Sequence, residues 1–202
     1  MKIWKGEQKT KEWFDLKVGK ISGTRFAKVI SGKKNRLIYE LMNEKLNGYI
    51  DEVDLSFNED VQYGVENEDL AIQLYSEKSG IKFKKVGAIL SDLDNHISSP
   101  DSISECETIA LEIKCTMKGD IHLERYFEGI DEKYLPQCIN YFAVDKGIKE
   151  VHFISYCGYR PERPLVIHIL KRNDYLVQIE KGLTNIKAIG VSVENKLREW
   201  NF

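Results

Sequence analysis

Apolar and polar residues alternate along one short stretch near the middle of the chain, Ile109–Cys115. Every second residue from Ile109 is apolar, whereas the intervening positions include Glu112 and Lys114. Alternation with a period of two predicts a half-buried β-strand. Glu112 and Lys114 are therefore expected on one face of a strand whose opposite face is apolar.

Helical periodicity dominates the rest of the chain. Helices are predicted at 10–17, from Gly19 to Gly32, and at 34–46, 60–79, 121–127, 131–144 and 173–200, the last interrupted near Gly190. Further strands are predicted at 82–90, 95–100, 151–157 and 165–170, and a loop with a short strand at 49–58. This order of elements predicts an α/β fold in one continuous domain.

The longest predicted helix, 60–79, carries an acidic residue within an apolar face. Glu68 lies in an arc formed by Val61, Val65, Ile72 and Tyr75, and most of this helix is expected to be buried. A buried carboxylate is unfavourable unless it is paired, protonated or bound to a metal. Glu68 is thus a candidate functional residue; the alternative is a structural glutamate satisfied by a nearby arginine or backbone group.

A second acidic residue, Asp101, follows a proline shortly before the alternating strand. Carboxylates on neighbouring strands can hold a hard divalent cation, and Lys114 would stand beside any nucleophile that such a cation activates. The alternative is an ion pair across a solvated sheet face. On the helix at 131–144, Gln137 shares a face with Tyr134 and Tyr141, where its amide could position water or a nucleic-acid backbone, or form an ordinary contact between helices.

Composition is that of a soluble globular protein: of 202 residues, 42% are hydrophobic and 31% are charged. The sequence has no apolar run of membrane-spanning length and no apolar signal-peptide core, so a cytoplasmic protein is expected. The four cysteines form no CxxC pair, which gives little support to a zinc or iron–sulfur site. Cys115 and Cys138 are expected to be reduced core residues.

Charge is distributed unevenly along the chain. Residues 1–36 contain eleven Lys and Arg against three acidic residues, whereas the whole chain has a net charge of −2. Such asymmetry suggests an N-terminal segment that faces an anion, although a lysine-rich solvated surface explains it equally well. Hydroxyl groups at the start of the second helix, with cations nearby, are typical of phosphate sites, although a capped helix that only packs explains them equally well. They are Ser22 and Thr24, beside Lys17, Lys20 and Arg25.

Five short motifs, in this order along the chain, resemble those of the PD-(D/E)XK nuclease superfamily and, more narrowly, of the phage-lambda-exonuclease-like, YqaJ-type viral recombinase family. They are KVGKISGT (17–24), GVENE (64–68), SPDSI (99–103), LEIKC (111–115) and QCINY (137–141). The similarity extends from about Trp13 to about Leu170. Two positions depart from the family pattern: Lys17 replaces an arginine, and Ser22-Gly23-Thr24 replaces Thr-Ala-Ser.

The resemblance implies a restriction-endonuclease-like core with a mixed central β-sheet flanked by helices. Within a single domain, 1–202, it implies a basic helical segment at 1–48, a nuclease core at 60–170 and a C-terminal helical region at 173–202. The implied activity is Mg²⁺- or Mn²⁺-dependent 5′→3′ digestion of linear double-stranded DNA. The 3′ single strands left behind would serve a phage annealing protein, and family members form a ring-shaped trimer.

The resemblance also assigns roles to single residues. Metal ligands would be Asp101, Glu112, the backbone carbonyl of Ile113, and Glu68. Lys114 would orient the attacking water and Gln137 would position the nucleophile or the phosphate. DNA contacts would come from Lys17, Ser22, Thr24, Arg25 and Tyr141, with Tyr141 also supporting Gln137. The alternatives are an endonuclease of the restriction or CRISPR-adaptation type, and a catalytically inactive DNA-binding module on the same fold.

Overall fold

The computed structural model describes residues 1–51 and 57–200. Its helices are α1 (Lys11–Lys17), α2 (Gly23–Ile30), α3 (Lys34–Asn47), α4 (Glu59–Ser79), α5 (Gly119–Glu128), α6 (Leu135–Val144) and α7 (Leu176–Trp200). Its strands are β1 (Lys2–Trp4), β2 (Phe83–Lys84), β3 (Ala88–Leu90), β4 (Ile97–Ser98), β5 (Ser102–Ser104), β6 (Ile109–Cys115), β7 (Glu150–Tyr156) and β8 (Leu165–Lys171). The strand predicted within 49–58 lies largely outside the described residues.

The main sheet has five strands in the order β2-β5-β6-β7-β8. Only the central pair, β6 and β7, is parallel, with Lys114 opposite Ser155; the other pairs are antiparallel. A second, antiparallel sheet has the order β1-β3-β4. The predicted α/β fold with a mixed central sheet flanked by helices is confirmed.

The predicted alternation of β6 places its residues against two different apolar clusters. Ala110 packs into the larger cluster, where α2, α3, α6 and α7 cover one face of the sheet. Leu111 and Ile113 pack into a smaller cluster on the other face, against Ala71 and Tyr75 of α4. Glu112 and Lys114, which lie on the same face as Ala110, therefore face the helical side of the larger cluster.

The two longest helices, α4 and α7, differ from the predictions because contacts with other elements determine the burial of one and the continuity of the other. Val61 and Val65 of α4 are exposed, so most of this helix is not buried as predicted: only one narrow side of it reaches the sheet. Helix α7 runs continuously through Gly190, and the predicted interruption is wrong. A Cβ at Gly190 would lie 2.7 Å from the Asn95 side-chain nitrogen, so this glycine permits close packing instead of ending the helix.

Several short strands were not predicted because they depend on pairing with distant residues. β1 has only three residues and pairs with β3. The segment predicted as one strand at 82–90 forms two strands, β2 and β3, in different sheets. In the parts of the chain that the structure describes, no helix is both long enough and apolar enough to span a bilayer.

Candidate active site

Glu112, in the middle of β6, is fully buried and is the residue around which the site is built. Its Oε2 atom accepts hydrogen bonds from Nε2 of Gln137, at 2.8 Å, and from the hydroxyl of Tyr141. Its Oε1 atom forms an ion pair with Lys114 but receives no aligned hydrogen bond within the described chain. Gln137 and Tyr141 lie four residues apart on α6, a spacing that places both side chains on one helix face.

Asp101, directly before β5, is fixed against β6 by two hydrogen bonds. Its amide donates to the carbonyl of Leu111, and its Oδ2 accepts from the amide of Ile113 at 2.5 Å. Burial away from water raises the pKa of Asp101 well above its ordinary value, and the charge of Glu112 raises it further. The charge of Lys114 opposes this shift. The site thus holds two carboxyl groups that repel each other in a poorly solvated environment.

Lys114 remains the charged partner of these carboxyl groups. Burial opposes its protonated form, but the charges of Glu112 and Asp101 outweigh burial, and the pKa of Lys114 is raised. Its ammonium group also lies 5.0 Å from the ring centroid of Tyr134, a distance typical of cation–π contact. Lys114 therefore provides a fixed positive charge beside the acidic residues.

Glu68 enters the site from α4, at the rim of the helix–sheet contact. Its side chain is 28% exposed and its nearest cationic group is Nζ of Lys85, at 3.9 Å. Partial burial raises the pKa of Glu68, and Lys85 opposes this shift. The prediction of a buried Glu68 inside an apolar arc is wrong in degree: the carboxyl group is half-buried and faces a cavity.

That cavity has a volume of about 590 Å³ and is lined by Glu68, Asp101, Ile113 and Lys114, with Glu112 directly behind. Among the described residues, no three His, Cys, Asp or Glu side chains form a ready metal-binding group. The donor set still fits a hard divalent cation, because oxygen ligands predominate, the carboxyl groups repel each other, and one buried oxygen of Glu112 has an ion pair with Lys114 but no hydrogen bond.

The N-terminus of α2 lies beside Gln137. A Cβ built on Gly23 would be 2.9 Å from Cγ of Gln137, so the helix and this side chain are in close contact. Ser22 is the N-cap residue but makes no side-chain capping bond, and its hydroxyl lies 3.3 Å from that of Thr24. Two predicted DNA-binding hydroxyls therefore lie at a helix N-terminus next to the site.

The other three predicted DNA-binding residues make contacts within the protein. Tyr141 has no exposed surface and directs its hydroxyl to Glu112, so burial contradicts a direct contact with DNA. The guanidinium of Arg25 is paired with Glu44 of α3 and donates to the carbonyl of Lys20. The ammonium of Lys17 lies 3.4 Å from the ring centroid of Trp13.

Two features of the site were not predicted from the sequence. Residues 5–9, between β1 and α1, form one wall of the cavity. Arg125 of α5 is buried, pairs with Asp131, and donates to the carbonyl of Lys114 and the hydroxyl of Ser155. Arg125 therefore fixes the backbone beside Lys114. Both features depend on contacts between residues distant in sequence, which local patterns do not report.

Comparison with known proteins identifies the family of this chain and supports a phage-type nuclease. The family model for the YqaJ-like viral recombinase domain matches residues 12–147, and the chain belongs to that family. The resemblance seen in the five motifs is thereby confirmed. The search of curated proteins returned no match to the sequence.

Among solved structures, the chain is similar to the alkaline exonuclease LHK-Exo from Laribacter hongkongensis. The two share 25% identity with a TM-score of 0.81, over 95% of this chain and 96% of that one. The complex of LHK-Exo with dAMP matches at 24% identity, with the same TM-score and coverage. A phage-related exonuclease from Haemophilus somnus 129PT matches at 14% identity and a TM-score of 0.59, over 88% of this chain and 96% of that one, which indicates a shared fold.

Proposed function

We propose that this chain, as one domain over 1–202, is a phage-type DNA exonuclease that digests linear double-stranded DNA from the 5′ end. The observation that carries the proposal is one cavity lined by Glu68, Asp101 and Lys114, behind which Gln137 and Tyr141 hold the Glu112 carboxylate. Membership of the YqaJ-like family and the similarity to an alkaline exonuclease over 95% of the chain support it.

Asp101, Glu112, Glu68 and the carbonyl oxygen of Ile113 would hold a Mg²⁺ or Mn²⁺ ion, since such ions prefer oxygen ligands. When bound, the ion supplies Lewis-acid activation of water and offsets negative charge in phosphodiester hydrolysis. Asp101 is already oriented for this role by the amide of Ile113.

The remaining chemistry belongs to side chains that the fold holds in place. Lys114 stays protonated next to the carboxyl groups, so it stabilises the charge that develops on the scissile phosphate. Gln137 and Tyr141 donate to the same oxygen of Glu112, which fixes that carboxylate and leaves its second oxygen toward Lys114. These residues position the reacting groups without a change of their own protonation state.

The 5′-phosphate of the DNA end would bind at the N-terminus of α2, where Ser22 and Thr24 offer hydroxyl and amide donors. Lys17 would contribute long-range charge near this position. The 3′ single strands would pass to a phage annealing protein in the cytoplasm of a bacterial host, and three chains would form a ring around the duplex. Family resemblance supports both statements.

The test uses end-labelled linear duplex and a covalently closed circle, with Mg²⁺ or with EDTA. We expect digestion of the linear duplex only, and only with Mg²⁺. Lys114→Ala and Asp101→Ala should each reduce the rate by at least about 10²-fold, the scale of losing a main electrostatic contact in a transition state. Lys149→Ala, at the other end of the parallel strand pair, is the matched control.

Three outcomes would contradict parts of the proposal. Cleavage of the closed circle would indicate an endonuclease of the restriction or CRISPR-adaptation type. Tight binding of DNA without cleavage under any divalent ion would indicate an inactive DNA-binding module. Full activity of Lys114→Ala, with an unchanged unfolding temperature, would remove this lysine from the mechanism.

A further inference from the structure

The N-terminal segment 5–9 is attached firmly to the strand region that carries Asp101. On its N-terminal side, β1 pairs with β3. The side-chain amide of Gln8 donates to the carbonyl of Val86 at 2.9 Å and to that of Pro100 at 3.0 Å. Since Pro100 directly precedes Asp101, Gln8 ties this wall of the cavity to the acidic residue. The segment is therefore part of the site and not a loose extension.

Lys9 places a positive charge on this wall, and that charge favours the ionised form of Glu68. Lys9 is exposed and lines the same cavity as Lys5, Lys85 and Lys114. Lys85 is paired with Asp69, and Lys114 with Glu112. Within the described residues Lys9 forms no ion pair within 4 Å, so its ammonium group can contact a ligand. An anion that enters the cavity would meet the charges of both Lys9 and Lys114.

The backbone at Lys9 is unusual for a lysine. Its φ angle is +65°, in the left-handed region that glycine and asparagine adopt most readily. Gln8 anchors the residue on one side, and Thr10 on the other caps α1 by accepting from the amide of Trp13. The turn is thus fixed by its neighbours, while position 9 carries a long cation that the turn does not favour. Strained residues of this kind concentrate at ligand sites.

We propose that Lys9 binds a backbone phosphate of the DNA strand that enters the cavity. This rests on the proposed exonuclease function, and it extends the site to residues that the family match, 12–147, does not include. Glu7 lies on the same wall and repels a phosphate, so a phosphate that binds there needs a cation beside it. Lys9 is a substrate-binding residue in this scheme and takes no part in bond cleavage.

The test compares Lys9→Asn, Lys9→Arg and Lys149→Asn. Asparagine tolerates a positive φ and removes the charge, arginine keeps the charge, and Lys149 is an exposed lysine beside the start of β7, far from the cavity. Binding of a fluorescent 5′-phosphorylated duplex is measured from low to high salt, in a Lys114→Ala background that prevents digestion. The slope of log K against log salt is negative. For Lys9→Asn we expect this slope to become less negative by about 0.9, the value of one lost phosphate contact.

The same variant should bind the duplex about fivefold more weakly at a fixed salt concentration, as for loss of one exposed charged contact. In otherwise wild-type enzyme, KM should rise by a similar factor with kcat nearly unchanged, since the contact forms equally with substrate and transition state. Lys9→Arg and Lys149→Asn should match their parent in slope and in KM. Equal unfolding temperatures establish that the turn is intact.

The outcomes separate this proposal from the exonuclease proposal. If wild-type protein digests linear duplex but Lys9→Asn leaves the salt slope and KM unchanged, Lys9 has no phosphate contact and the exonuclease function stands. A less negative salt slope in both Lys9→Asn and Lys149→Asn would show a general charge effect and overturn the assignment to Lys9. If the wild-type protein neither binds nor digests DNA, both proposals fail.

Discussion

At the scale of single residues, the site depends on how a fully buried carboxylate is satisfied. Glu112 lies in a central strand, where an unpaired charge is strongly unfavourable. Gln137, Tyr141 and Lys114 together occupy both of its oxygens. The pattern of residues predicted that Glu112 and Lys114 share one strand face, and that Gln137 and Tyr141 share one helix face. It did not predict that the two faces meet, because that contact joins residues 25 or more positions apart.

A buried histidine outside the site leads to a prediction about pH and stability. His96 is 1% exposed; its Nε2 bonds the side-chain oxygen of Asn140 at 2.8 Å, and its Nδ1 has no partner within the described chain. Burial lowers the pKa of His96 from 6.5 to about 4, so the folded state keeps the ring neutral. Below pH 6.5 the unfolded chain binds a proton that the folded chain does not, so stability falls as pH drops from 6.5 towards 4.

Between pH 7.5 and pH 5.0 this histidine should reduce the free energy of unfolding by about 2 kcal/mol. Urea unfolding at the two pH values measures the difference. His96→Gln carries no titrating group, so its loss of stability over the same interval should be smaller by that amount, whatever its stability at pH 7.5. An identical pH dependence in wild type and variant would show that His96 does not remain neutral in the folded state.

At the scale of elements, the contact between α2 and α6 explains one departure from the family pattern. Gly23 stands where the family motif has alanine, and an alanine Cβ here would be 2.9 Å from Cγ of Gln137. The glycine therefore allows α2 to approach α6 closely while Gln137 keeps its hydrogen bond to Glu112. A motif comparison reports the difference in residue type, but only the packing of the two helices gives its reason.

Gly23→Ala should therefore lower activity without loss of stability. The new methyl group displaces the Gln137 side chain, and we expect about a tenfold lower kcat, comparable to a lost positioning contact. Alanine favours a helix more than glycine does, so the free energy of unfolding should change by less than about 1 kcal/mol. Initial rates on linear duplex and urea unfolding measure the two quantities.

A double-mutant cycle identifies the route of this effect. In a Gln137→Ala background, Gly23→Ala should cause little further loss of activity, because the displaced side chain is already absent. If the two substitutions instead reduce the rate independently, the effect of Gly23→Ala arises from DNA binding at the start of α2 and not from Gln137.

Strand alternation and some helix ends are local properties that the sequence pattern predicts. Gly80 ends α4 with a φ of +71°, where the predicted helix 60–79 also ends. The cap of α4 by the side chain of Asn58 was not predicted. Val65 was predicted to be buried but is exposed, and α7 was predicted to be interrupted near Gly190 but is continuous. Both are decided by which surface packs against the element, and a helical wheel does not contain that information.

At the scale of the whole molecule, the chain brings several separate segments to one cavity. They are the segment 5–9, the side of α4 at Glu68, residues 85–87, and the region from Asp101 to Lys114, with α6 behind it. Residue types alone made Glu68, Asp101 and Glu112 candidates for metal binding. The N-terminal wall gave no such indication, because its only local signal was positive charge, which is common on solvated surfaces.

Because every residue of the candidate site belongs to one chain, cleavage should not require the proposed trimeric ring, whereas processive digestion should. At high protein concentration, light scattering should give a mass of about three times the 23.4 kDa of one chain, and each binding event should remove many nucleotides. On dilution to the monomer, in the presence of excess unlabelled DNA, the initial rate per chain should persist while the length removed per event becomes short. Cleavage that disappears in proportion to the trimer would instead show that a neighbouring chain completes the site.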